Sequence, residues 1–163
     1  MTGDDPQWAL RQLVDALRLV ALPADEQVAA LPPFVHVPDE IVLYYDDAFQ
    51  RLPGVLEVGV LREDQAEPLR ALDELFAEMT DAPDKAWVWT LPAVENDQRW
   101  ARTRTLAVAA LTAVGAVPDQ PQFASTVWMG YGADGKGVEW PGGEIVGTKS
   151  AWRSFTGFIR RHL

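Results

Sequence analysis

Residues 96–115 read NDQRWARTRTLAVAALTAVG. Trp100, Thr103, Ala107, Ala110, Leu111 and Val114 recur at helical intervals and share one face of an α-helix. Asn96 stands where a side-chain oxygen can cap the first turn, and Gly115 where a left-handed residue can close the last. A helix with one apolar face must bury it against a neighbour. The fold class therefore turns on whether the flanking sequence supplies more helices.

Upstream it does. In residues 5–23, Asp5 is a good N-cap and Pro6 a good first helical residue. Leu10, Leu13, Val14, Leu17, Val20 and Ala21 form a stripe, with Arg11, Asp15 and Arg18 off it, and Pro23 ends the helix. Residues 24–31 allow two further turns before Pro32 and Pro33. A third helix begins at Pro38, with Asp39 and Glu40 favourably placed against the helix dipole. Ile41, Tyr44, Tyr45, Ala48, Phe49 and Leu52 form its apolar side, and Pro53-Gly54 is its expected stop. A fourth runs to about Met79, with Leu69, Leu72, Leu75, Phe76 and Met79 on one face; Pro68 is tolerable only near its start. Residues 83–92 look irregular.

Downstream the pattern changes. Val117-Pro118-Asp119-Gln120-Pro121 reads as a linker or sharp turn. Residues 123–131 have strand-like composition, Asp134-Gly135 lies in a glycine-rich turn, and residues 137–146 can return as a second strand. Residues 150–163 are helical in pattern, with Trp152, Phe155, Phe158, Ile159 and Leu163 on or near one side. The expected fold is thus mainly α: a bundle of about five helices, with a C-terminal β-hairpin and a terminal helix packed on it. Residues 1–117 form the acidic bundle. Residues 118–163 form the hairpin and basic helix, both packed on the bundle as one structural unit, because an isolated hairpin is marginal in water.

The 163 residues suit one domain with an appendage, and 48% apolar against 23% charged content is ordinary for a globular chain. No cysteine occurs, so thiolate catalysis, zinc–thiolate sites and disulfides are excluded. The N-terminal residues lack the charged and apolar regions of a signal peptide, and no apolar run is long enough to span a bilayer. A cytoplasmic location is expected. The net charge of −10 disfavours nucleic-acid binding and favours basic partners. That charge is uneven: residues 1–117 carry 9 basic and 20 acidic side chains (net −11), residues 118–163 carry 5 and 4 (net +1).

Gly130, Gly132 and Gly135 match G-x-G-x-x-G, but no helix opens after them, so they suit a turn rather than a phosphate loop. His36 and His162 are the two histidines, too few for a histidine-rich metal site, and no serine lies near His36 in sequence. Asp39 with Asp46, and Glu40 with Asp47, return at seven-residue intervals to nearly the same helical face. Two acidic strips so spaced suit partner docking or simple solvation better than a metal or acid–base pair, since about 10 Å separates the members of each. Seven tryptophans are many for this length, and Trp87, Trp89, Trp128 and Trp140 are the candidate lining of an aromatic pocket between hairpin and bundle.

No constellation identifies an enzyme, a cofactor or a metal. The expected function is a non-enzymatic interaction module that binds a basic protein partner through Asp39, Glu40, Asp46 and Asp47 and the acidic surface of the third and fourth helices. An immunity-type antitoxin covering a basic nuclease's groove is one concrete form. The alternative is a small-molecule binder or enzyme using the tryptophan pocket. A homo-oligomer completed by a neighbour's terminal helix or hairpin is a third arrangement.

Overall fold

Asp5 accepts a hydrogen bond from the Gln7 N–H at 3.0 Å and so caps α1 (Pro6–Ala21). The computed structural model describes residues 5–123, 128–131 and 137–140, and it is mainly helical. Pro23 ends α1, and α2 (Ala24–Ala30) follows at once. Gln27 on α2 is fully buried and donates to the carbonyls of Leu19 (3.2 Å) and Val20 (2.9 Å). It thereby adds to the Leu22 N–H on the Leu19 carbonyl and satisfies that of Val20 at the end of α1.

The third helix, α3 (Val37–Phe49), stops before the proline expected to stop it. Pro53 lies instead in the first turn of a separate helix, α4 (Leu52–Glu57). Proline suits that position because a first-turn N–H has no intrahelical acceptor to lose. The stop is Gly59, at φ +73°: its N–H reaches Leu56 O at 3.0 Å, and that of Val60 reaches Val55 O at 3.1 Å.

Helix α5 (Glu63–Asp81) carries Pro68 in its second turn. The Arg62 N–H donates to Gln65 Oε1 at 2.9 Å, which ties down the start of the helix. Residues 83–92, expected to be irregular, hold α6 (Lys85–Val88) and the start of α7 (Leu91–Asn96). Thr90 Oγ1 caps α7 by accepting from the Ala93 N–H at 3.3 Å. Asn96 was expected to cap the last long helix, α8 (Gln98–Ala113), yet it belongs to the last turn of α7 and its amide donates to Pro92 O at 2.9 Å. Asp97 takes the role, accepting from the Arg99 N–H at 2.9 Å. Gly115 closes α8 at φ +78°, with the Ala116 N–H on Leu111 O at 2.9 Å.

The apolar stripes converge. α8 packs on α5 and α1, and α1 packs on α3. Leu13 and Leu17 of α1, Ile41 and Tyr45 of α3, Leu69 and Leu72 of α5, and Trp100 and Leu111 of α8 are all buried. Gln65 Nε2 donates to Ala113 O at 3.0 Å, bringing the start of α5 to the end of α8, so these two helices run antiparallel. The Trp100 indole N–H reaches Val88 O at 2.8 Å, so the one polar atom of the largest core side chain is satisfied.

Two short strands, β1 (Trp128–Tyr131) and β2 (Gly137–Trp140), pair antiparallel, with Trp128 opposite Trp140. Gly130 lies within β1, whereas Gly132 and Gly135 fall outside the described residues. The expected terminal helix over 150–163 and His162 fall outside them too.

Candidate functional site

Glu40 and Asp46 lead to two different places on this framework. The first joins the β-pair to the helices. Asp15 of α1, read from sequence as off the apolar stripe, is only 6% exposed. Its carboxylate accepts from Tyr44 Oη at 2.7 Å, the Gln122 N–H at 2.5 Å and the Phe123 N–H at 2.8 Å. Phe123 holds a left-handed φ of +50°. Its ring then packs edge-on against Trp128 at 4.8 Å, and Tyr44 lies 5.3 Å from Phe123. The Trp128 indole N–H donates to Glu40 Oε2 at 2.7 Å. Burial raises the Glu40 carboxyl above its ordinary value, and Asp39 and Asp47 add to the rise; the Trp128 hydrogen bond opposes it. Every one of these groups is engaged inside the molecule, and together they form a joint rather than an open site.

The second place is open. The end of α3, all of α4 and the first three turns of α5 enclose a groove of about 860 Å³. Phe49, Leu52, Pro53 and Leu56 give it an apolar floor, and Asp46, Glu57, Glu63, Asp73 and Glu74 set five carboxylates around it. Among the described lining residues Arg70 is the one cation, and it is paired with Glu63 at 2.7 Å. Five acids against one base leave these described lining residues at −4. Behind the wall, Tyr45 donates to Leu69 O at 2.6 Å. Burial pushes its hydroxyl well above the usual tyrosine value, and Asp73 and Asp46 push it further, so it remains a neutral donor.

The four acids singled out from sequence are divided by the fold. Asp46 lines the groove. Asp39 pairs with His36 Nδ1 at 2.9 Å near the start of α3. Glu40 is held by Trp128, and the Asp47 carbonyl accepts from the Arg51 guanidinium. Arg51 also lies over the Trp8 ring, 5.1 Å from its centre. The four acids of the third helix thus have different neighbours: Asp46 meets the groove, and Glu40 the β-pair.

Trp87, Trp89 and Trp128 are not among the described lining residues of the groove, and the aromatic pocket expected between hairpin and bundle includes Trp140, whose side chain lies outside the described residues. Trp87 is exposed and donates to Asp97 Oδ2 at 3.0 Å. Trp89 packs edge-on against Trp100 at 5.7 Å. Trp128 sits on Phe123 and Tyr44, and Trp140 is its cross-strand partner. The described contacts of Trp87 and Trp89 are thus with α8 and its N-cap, and those of Trp128 with Tyr44 and Glu40 of α3 and with Phe123. Sequence reasoning singled out no groove acid beyond Asp46 by number; Glu57, Glu63, Asp73 and Glu74 become a set only when α4 turns back onto α5.

Chemically the groove offers negative charge over an apolar floor. Among the described residues no cluster of three or more acids and histidines has the arrangement to hold a metal, and no helix is long and apolar enough to cross a membrane. No protein-family model, no curated protein and no solved structure matches the chain.

Proposed function

We propose that this chain is a non-enzymatic interaction module that binds a basic protein partner through the groove between α3, α4 and α5. The observation that supports this reading is the pairing of five carboxylates with an apolar floor in one open concavity. A basic amphipathic segment fits both: its apolar side covers Phe49 and Leu56, and its cations meet the rim. Complementary charge of this kind speeds encounter and fixes register, while the buried apolar area supplies most of the affinity. An immunity-type antitoxin that masks the cationic substrate groove of a nuclease is the concrete form we favour, with the molecule resident in the cytoplasm.

The experiment is affinity capture at low salt with the wild-type chain and with Glu57→Lys/Glu74→Lys, which brings the groove lining from −4 to 0. The wild-type chain is expected to retain a basic protein that elevated salt releases and the double variant does not hold. Retention by both chains alike, or by neither, contradicts the proposal.

A further inference from the structure

Three charged residues of the groove wall fall on one stripe of α5. Glu63, Arg70 and Glu74 all line the groove. Intervals of seven and eleven residues return to within about 20° of one line along a helix, so the three stand nearly in file. Their order is acid, cation, acid, with steps of about 10 Å and about 6 Å along the axis. Arg70 Nη1 reaches back two turns to Glu63 at 2.7 Å, and the two side chains are 45% and 73% exposed. So exposed a pair adds little stability, and Arg70 exchanges Glu63 for another carboxylate at small cost. Its guanidinium can grip that carboxylate through two parallel N–H donors.

A wall of acids alone would accept a polycation in any register. A cation in mid-file repels a cation placed opposite it and rewards an acid there. We infer that Arg70 is the specificity-determining residue of the groove, and that its occupant is a helix whose facing side carries cation, acid and cation in file, the acid on Arg70 and the cations on Glu63 and Glu74. This rests on the docking function proposed above and adds the partner's charge order to it. Helices crossing at about 20° stay in step over three turns, so the partner repeats the spacing of the wall. The order is Lys-x6-Glu-x3-Lys for a helix parallel to α5 and Lys-x3-Glu-x6-Lys for an antiparallel one. In both, the three charges share one side of the partner, flanked by an apolar stripe that covers the half-buried Phe49 and Leu56.

The test uses the full chain and labelled Lys/Leu amphipathic peptides at low salt, read by fluorescence anisotropy. Two peptides carry the charge order, one for each direction. Each has an isomer of equal net charge in which the glutamate changes places with the first lysine. Wild type is expected to bind one ordered peptide about fivefold tighter than its isomer. Arg70→Gln is expected to bind that peptide and its isomer equally, and Arg70→Lys to restore part of the preference. Thermal melts that match wild type show that both variants fold. Equal affinity of wild type for every peptide and its isomer overturns the inference and leaves the docking function standing, as does a preference that Arg70→Gln leaves unchanged. Failure of wild type to bind any of the four overturns both.

Discussion

Asp15 is the residue on which the joint between helices and β-pair depends. A buried carboxylate is costly unless its oxygens are satisfied, and here Tyr44 and two backbone N–H groups do so. Asp15→Asn keeps the shape but replaces one acceptor oxygen with an NH₂ that faces a donor. The variant is expected to lose about 3 kcal/mol, against about 1 kcal/mol for Tyr44→Phe, which removes a single neutral donor. At this chain length each kcal/mol lowers the melting temperature by about 2–4 °C, so thermal unfolding separates the two. Equal small shifts would show that the joint carries little stability. None of this was legible: Asp15 looks like one polar residue on a helix, and two of its three partners are backbone groups more than 100 residues away. Glu40 behaves oppositely. Its folded pKa is raised above the unfolded value, so the native state binds the proton more tightly and ionised Glu40 destabilises the fold at neutral pH. Wild type therefore regains stability as pH falls through the raised folded value toward the ordinary 4.5. Glu40→Gln retains an acceptor for Trp128 without the charge. It should melt at or above wild type near neutrality, with the gap closing on acidification. A variant that melts lower at neutral pH would count against this account.

At the scale of elements, the legible features were those written locally. The stripes of α1, α3, α5 and α8 follow directly from apolar spacing, as does the cap at Asp5. Errors came where one residue type serves two purposes. Proline both stops and starts helices, and Pro53 starts one because two residues, Gln50 and Arg51, separate Phe49 from the next helix at Leu52. Asn96 and Asp97 are both good caps, and only the presence of α7 decides between them. The Thr90-Leu91-Pro92 start of α7 was a readable signal: a hydroxyl cap followed by a first-turn proline. Gly115 illustrates a local feature with a definite energy. At φ +78° with nothing within 4 Å of an added Cβ, its replacement is opposed by backbone strain alone. Gly115→Ala is expected to cost about 1 kcal/mol, and Gly115→Asn less, because asparagine tolerates the left-handed region better. Chemical denaturation midpoints check the order, and an alanine variant as stable as wild type would contradict the strain.

Over the whole molecule, the separation of charge was plain from composition, but its placement was not. The net −11 of residues 1–117 could have been spread evenly over the bundle. Concentration came from the turn at Gly59, which folds α4 and α5 around the end of α3 and collects acids from three elements. Trp87 and Trp89 have contacts on the α8 side and Trp128 on the α3 side, while the side chain of Trp140 lies outside the described residues. The central claim is that this groove docks a basic amphipathic helix. Fluorescence anisotropy tests it most directly, with a labelled Lys/Leu helical peptide titrated into the chain. The account predicts saturable binding, about tenfold weaker when Glu57→Lys/Glu74→Lys is added, and weaker again as salt shortens the screening length from about 10 Å to about 3 Å. Affinity indifferent to the groove reversal, or no binding at low salt, would contradict it.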